Sequence, residues 1–390
     1  MQTGSDLPPP GAGAREHSDR VRAMVAARIA ASGGFLGFAE YMDTVLYAPG
    51  LGYYSAGAQK FGAAGDFVTA PELGAVFARC LARLTRAALR QLGGGVILEV
   101  GGGSGALAAE LLFALRDAPP DEYLLLDVSG DLRDRQRRAI EARVPQLLPR
   151  VTWLDALPAA PLQGVVLANE VLDALPVERF RIGAGRPEQL GVRVLDGRLG
   201  WDSRPAPPPL AAAIGNLQSE LGEQFSAGYT SEIGLRHAGW LDALLASIGR
   251  GLALFIDYGG TRREIYHAGR RDGTLVCHYR HRQHGDPFFL PGLQDLTAWV
   301  DFSAAAQTAA DCGFDVAAYA TQAHVLLASS VLDDLKAGGD AAGAGHLRDV
   351  QEVQRLLLPG EMGERFKVLA LTRGFSPDFP LTVRDLRGRL

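Results

Sequence analysis

The stretch with the most chemical content is Val96-Ile-Leu-Glu-Val-Gly-Gly-Gly-Ser-Gly-Ala-Leu-Ala-Ala-Glu110. A short apolar run, a glycine cluster and an Ala/Leu-rich resumption predict a buried strand, a tight turn and a helix start. That is the layout of a nucleotide-type cradle in an open α/β sheet. Gly101, Gly103 and Gly105 let the backbone turn sharply and let a ligand lie against it, because no Cβ intrudes. The helix that follows offers unpaired N–H groups and a positive dipole end. The same residues also satisfy the dinucleotide pattern G-x-G-x-x-G/A. Glu99 separates the two readings. A carboxylate in an apolar strand is costly unless it is paired or hydrogen-bonded. A pyrophosphate would repel it, whereas the ammonium of S-adenosylmethionine (SAM) would suit it. The alternative is a structural carboxylate tied to neighbouring backbone N–H groups.

Two further sites fall at predicted strand ends, where open α/β sheets hold their ligands. Asp127 closes the strand expected at 123–128 and can accept hydrogen bonds from both ribose hydroxyls of an adenosine-containing cofactor. Asn169-Glu-Val-Leu-Asp173 follows the strand expected at 164–169. Methyl transfer from a sulfonium is an in-line displacement, so the protein mainly positions the nucleophile and manages charge. A guanidinium nucleophile would need carboxylates to orient it. Glu170 and Asp173 are the candidate clamp, and Asn169 could polarise an amide or amine; for Asp173, capping of the next helix is a rival role. His278, His281 and His284 recur every three residues. With Arg280 and Arg282 among them and no carboxylate, they read as a basic loop rather than a metal site. P-loop and G-x-S-x-G signatures are absent.

The elements that must position these groups alternate regularly. Strands are expected at 96–100, 123–128, 151–154, 164–169 and 252–257, and late strands near 315–319 and 366–372. Helices are expected at 104–116, 131–143, 233–247 and 303–312, with a mostly helical segment around 330–358. This pattern predicts an α/β, doubly wound, mostly parallel sheet. The expected organisation is a disordered tail at 1–18, a helical and lid region at 19–95, a core at 96–373 and a C-terminal tail at 374–390. Insertions are expected at about 177–232, with a hairpin turning at Asp196-Gly197, and at 320–360. The glycine-punctuated loop carrying Asp66, Thr69 and Glu72 is either a lid or a surface connection.

With 390 residues, 47% hydrophobic and 21% charged, the composition is that of a globular protein of one large domain or two. The net charge of −5 leaves no electrostatic footprint for nucleic acid. Three scattered cysteines suit a reducing compartment. No apolar run reaches a membrane span, and Asp6, Glu16 and Asp19 interrupt any basic presequence, so a cytoplasmic protein is expected.

From about Phe35 to Arg373 the chain resembles the SAM-dependent methyltransferases of the MidA type, which include mitochondrial complex I assembly factors. The matching segments include Tyr47-x-Pro-Gly-x-Gly-Tyr-Tyr54, Gly65-Asp-Phe-Val-Thr-Ala-Pro-Glu72, Glu99-Val-Gly-Gly-Gly-Ser-Gly105 and Ala168-Asn-Glu-Val-Leu-Asp-Ala-Leu-Pro176. Asp257-Tyr-Gly259, Gly292-Leu-Gln-Asp-Leu-Thr297 and Gly363-Glu-Arg-Phe-Lys-Val368 extend the set. The resemblance implies a class I methyltransferase fold with a seven-stranded sheet, SAM as cofactor and transfer to a protein arginine. In the mitochondrial members that arginine belongs to a complex I subunit. By position, Glu99, Gly101, Gly103 and Gly105 would line SAM and Asp127, where the family usually has Glu, would hold the ribose. Glu170 and Asp173 match the family's acids after the fourth strand. Asp66, Thr69 and Glu72 match a loop expected to close over the cofactor. A SAM-binding assembly chaperone and a small-molecule methyltransferase remain alternatives, and a homodimer stays open. An NAD-linked oxidoreductase is opposed by Glu99.

Overall fold

The computed structural model describes residues 7–56, 69–127, 129–337 and 344–390. Asp66 lies outside the described residues. The chain divides into two compact units, one of Met1–Phe67, Asp173–Ala238 and Gly260–Asp301, the other of Val68–Leu172, Gly239–Gly259 and Phe302–Leu390.

The second unit holds the predicted sheet. Its strands are β1 (Val96–Val100), β2 (Tyr123–Leu126), β3 (Val151–Leu154), β4 (Leu162–Asn169), β5 (Ile248–Gly260), β6 (Asp315–Thr321) and β7 (Phe366–Arg373). Their order is β3-β2-β1-β4-β5-β7-β6. The first five run parallel, and β7 is antiparallel to both β5 and β6. Consecutive residues of β4, Val165 to Ala168, are each no more than 2% exposed, so both faces of the sheet are covered. Helices α1 (Val76–Leu92), α2 (Ala106–Ala114) and α3 (Gly130–Arg143) connect or flank the first strands. Phe77, Leu81 and Leu84 of α1 and Leu107 and Leu111 of α2 share one core with Ile97, Val165, Leu167 and Leu254. The 320–360 segment belongs to this unit, and its helix α4 (Ala344–Leu357) sends Glu352 to the start of α1. There Glu352 Oε1 accepts from Val76 N at 2.8 Å and Phe77 N at 3.1 Å. Residues 374–390 are docked rather than a loose tail. Leu386 N donates to Tyr319 O at 2.7 Å and Arg387 to Val316 O at 2.7 Å, covering the edge strand β6.

In the first unit, two helices, Ala12–Ala31 and Phe38–Tyr47, join an antiparallel sheet whose main hairpin runs Pro187–Leu195 to Arg198–Pro205. Asp196 (φ 48°) and Gly197 (φ 75°) form its tight turn. The leading helix starts inside the segment expected to be disordered. Its anchors Val21, Val25 and Ile29 are buried every four residues, while Ala12 to Glu16 extend it mainly through helix propensity and leave no apolar signal. Gly260–Asp301, which takes in most of the stretch 258–293 where the sequence shows no periodicity, joins the 177–232 insertion in this unit. The helix expected at 233–247 is His237–Ala246, and Ile233 instead ends the strand Thr230–Ile233, which pairs with Glu178–Arg181.

Candidate active site

The glycine bend follows directly from how β1 ends. Gly101 N donates to Leu126 O at 2.9 Å, so the turns after β1 and β2 lie side by side. Gly101, Gly103 and Gly105 take φ of 70°, 52° and 86°, a left-handed backbone that favours glycine. A Cβ on Gly105 would lie 2.6 Å from the backbone Cα of Gln136, so the bend and α3 approach as closely as bare backbone allows. Helix α2 then begins at Ala106 with its first N–H groups at the bend. Ser104 donates its hydroxyl to Glu72 Oε1 beside it. Thr69 precedes the short helix Ala70–Leu73, and its carbonyl accepts from Glu72 N at 3.0 Å.

Glu99 is buried at 3% exposure, and its Oε2 accepts the Tyr123 hydroxyl at 2.6 Å. Burial pushes its carboxyl up to about 7, against the Tyr123 hydrogen bond, and the nearby Asp127 charge pushes the same way. The partner is thus a phenol from β2 rather than backbone N–H groups. A buried carboxyl poised to ionise, with no cationic partner among the described residues, is the environment an ammonium group would complete.

Asp127 is also buried, and Gln136 Nε2 donates to its Oδ2 at 2.8 Å. Arg133 ties the ends of β2 and β3 together, donating to Asp127 O at 3.2 Å and Leu154 O at 2.8 Å, with its ion pair to Asp155 at 2.7 Å. Gln136 carries no weight in a motif search. Its signal is positional: Leu132, Gln136 and Ile140 form the buried face of α3, and an amide on an apolar face needs partners.

At the end of β4, Glu170 takes a left-handed φ of 53° and its N–H donates to Ile256 O at 2.9 Å. Asn169 Nδ2 donates to Glu170 Oε1 at 3.2 Å, while Asn169 Oδ1 is buried without a hydrogen-bond partner among the described residues. The turn is held by Asp257 of β5, 1% exposed, whose Oδ2 accepts from Val171 N at 3.1 Å and Leu172 N at 2.8 Å. Asp257 belongs to a matched segment but had no assigned role; nothing in its local sequence announces partners 85 residues away.

The remaining candidates belong to the first unit. Asp173 falls in the first unit, buried, with its carbonyl accepting from Ala298 N at 3.0 Å and its charge acting on the Tyr54 phenol. The histidine segment is in that unit too. It forms a hairpin of Val276–Tyr279 and Arg282–His284 rather than a loop, with His281 in its turn. His278 and His284 are on its strands, and burial pushes the His278 imidazole down to about 4. Cross-strand pairing, invisible as alternation in so polar a segment, makes the difference.

The strand order with its antiparallel β7, the glycine bend after β1 and the acid after β2 together define a SAM-dependent methyltransferase. Residues 77–320 match the family model for S-adenosyl-L-methionine-dependent methyltransferases, and the chain belongs to that family. A crystal structure of a protein from Burkholderia thailandensis, bound to S-adenosyl-homocysteine, is 44% identical. Its TM-score is 0.93, and the match covers 99% of this chain and 100% of that one. A second, native structure from the same organism is 43% identical with a TM-score of 0.90, at the same coverage. The protein arginine methyltransferase NDUFAF7 homolog, mitochondrial, of Drosophila melanogaster is 29% identical over 374 residues, 88% of this chain and 83% of that protein. The protein arginine methyltransferase NDUFAF7, mitochondrial, of Rattus norvegicus is 28% identical over 375 residues, 87% and 81%.

The enzyme is therefore a methyltransferase and SAM is its cofactor. The expected cytoplasmic location is overturned by these relatives, which are named as mitochondrial proteins. The physical reason is that free cysteines select only a reducing environment, which the cytosol shares with other compartments. Among the described residues, no helix is long and apolar enough to cross a membrane.

Proposed function

We propose that this methyltransferase acts on a guanidinium nitrogen of arginine in a protein acceptor. The observation that carries the reading is Asn169 Oδ1, a buried acceptor without a partner among the described residues, at the carboxyl end of β4 beside Glu170. An amide oxygen next to a carboxylate matches a planar, N–H-rich cation better than a hydroxyl or a thiol. The names of the fly and rat relatives support the same acceptor class. By the MidA-type resemblance, a respiratory-complex subunit is the first acceptor to test.

When bound, SAM supplies an electrophilic methyl group on a sulfonium. In this reading Glu99 faces the ammonium at one end of the cofactor, and the Asp127 carboxylate receives the ribose hydroxyls at the other. The bare backbone at Gly101, Gly103 and Gly105 lets the linking part lie against the bend. Asn169 Oδ1 and Glu170 accept N–H bonds from the guanidinium and aim its nitrogen along the S–CH3 axis. The N–C bond forms as the S–C bond breaks and sulfur keeps the electron pair; the nitrogen then sheds a proton, which the Glu170 carboxylate is placed to take. Glu72, which accepts the Ser104 hydroxyl beside the bend, and Thr69 ahead of it form the wall that excludes water from the cofactor.

The test is incubation of the purified protein with methyl-labelled SAM and a lysate from cells lacking the gene, followed by mass spectrometry. Label on arginine of a discrete protein is expected, and E170Q is expected to lose about a hundredfold in rate while still binding S-adenosyl-homocysteine. Label on lysine, on a carboxylate or only on small molecules would refute the arginine assignment.

A further inference from the structure

We infer that Gln136 is a positioning residue for cofactor selection, the group that holds Asp127 in the one orientation able to read a ribose diol. The inference rests on the reading of Asp127 as the ribose acid.

Gln136 is fully buried on α3 and reaches three parts of the site at once. Its Nε2 donates to Asp127 Oδ2 at 2.8 Å and to the Gly103 carbonyl at 3.2 Å, and its Oε1 accepts the Trp153 indole N–H at 2.9 Å. An indole nitrogen only donates, so Trp153 settles which end of the amide is oxygen and turns both amide hydrogens toward Asp127 and the glycine bend. Arg137 stacks over the Trp153 ring at 4.3 Å, which holds the indole in place in turn. The seat is also sterically fixed, since any side chain on Gly105 would collide with the Gln136 Cα.

Two vicinal hydroxyls are recognised by a carboxylate only when its plane is fixed, because each oxygen must meet its own donor. An aspartate is one methylene shorter than a glutamate. It therefore reaches less far, and the orientation of its carboxylate matters more. The Gln136 amide supplies that orientation and couples it to the bend under the same ligand. A mere core strut would affect every ligand of the site alike. A group acting through Asp127 would affect only ligands that carry the diol.

The experiment uses the full chain and isothermal titration with 5′-methylthioadenosine and its 2′,3′-dideoxy counterpart. Wild type is expected to prefer the diol ligand by about a hundredfold, the worth of two charge-assisted hydrogen bonds. Q136M, which keeps the volume and removes the amide, is expected to lose about tenfold toward the diol ligand and less than twofold toward the dideoxy one. W153F, which keeps the ring and removes the donor that orients the amide, is expected to lower the preference about threefold and guards against a Q136M that does not fold. Equal losses for both ligands, or an unchanged preference in either folded variant, would overturn the inference while leaving the ribose reading of Asp127 intact. A wild type that binds S-adenosyl-homocysteine but shows no diol preference would overturn the Asp127 reading itself, and the inference with it.

Discussion

Replacing Glu99 by Gln removes one ionisation and keeps the side chain's shape, and its consequences can be worked out in sign and size. Burial lifts the Glu99 carboxyl from an ordinary 4.5 to about 7. The folded protein therefore holds this proton more tightly than the unfolded chain between those two pH values. A raised carboxyl contributes stability that is fully present below 4.5 and is lost as pH climbs through 7; the displacement corresponds to about 3 kcal/mol. Ligand-free E99Q, whose amide oxygen can still accept the Tyr123 hydroxyl, is thus expected to be more stable than wild type at pH 8 and to gain little at pH 5. Binding runs the other way. An ammonium ligand favours the ionised form, so wild-type affinity for S-adenosyl-homocysteine should rise about tenfold from pH 6 to pH 8. Over that range a proton is released, which shows as a dependence of the calorimetric heat on the buffer's ionisation enthalpy. E99Q should bind more weakly at pH 8 and show no such slope. A flat wild-type affinity between pH 6 and pH 8, or a slope that persists in E99Q, would refute the assignment of Glu99 to the ammonium.

Three other outcomes follow from the same contacts. Gly105→Ala places a Cβ 2.6 Å from the Gln136 Cα at a φ of 86°, and should cost about 2–3 kcal/mol in denaturant unfolding. Asp257→Ala leaves the Val171 and Leu172 N–H groups without their carboxylate; methyl transfer should fall about a hundredfold, with a smaller loss in S-adenosyl-homocysteine affinity measured by titration. Glu352→Ala uncaps the start of α1 and should cost about 1–2 kcal/mol, read as a lower melting temperature at pH 6, where the cap is mostly protonated given a carboxyl pushed up to about 7 by burial.

The central sheet was legible because parallel strands covered on both faces are written as apolar runs, as Val165 to Ala168 of β4 show. Strand β5 is the instructive exception. The run expected as a strand spans 252–257, yet β5 extends over Ile248–Gly260, because pairing with β4 and β7 recruits Arg250 and Gly251, past an irregularity at Gly249, that no pattern would choose. The candidates Glu99 and Asp127 stood out for a related reason: they are acids at the ends of apolar strands, and an acid there needs partners. Their supports were not readable. Tyr123 looks like an ordinary strand residue, Gln136 like an ordinary helical one, and Asp257 acts on a turn 85 residues away.

Spacing stops being informative between Glu170 and Asp173. The two acids stand three residues apart, which in a helix would place them on one face, yet the chain leaves one compact unit at Leu172 and enters the other at Asp173. What precedes the crossing is a strained turn: a left-handed Glu170, its N–H bonded to β5, followed by two N–H groups fixed on Asp257. A non-glycine residue is held in that conformation only when its surroundings over-determine it, and here three hydrogen bonds to a neighbouring strand do so. The strain therefore has a definite product, the Asn169 and Glu170 side chains at the carboxyl end of β4 in a fixed relation to the glycine bend, where a Cβ on Gly101 would already lie 3.0 Å from Val171 Cγ2. Under the proposed assignment, the acceptor groups after β4 and the glycine bend after β1 are mounted on adjacent strands of one sheet, an arrangement suited to an in-line displacement, which tolerates little error in the line from nucleophile to sulfur.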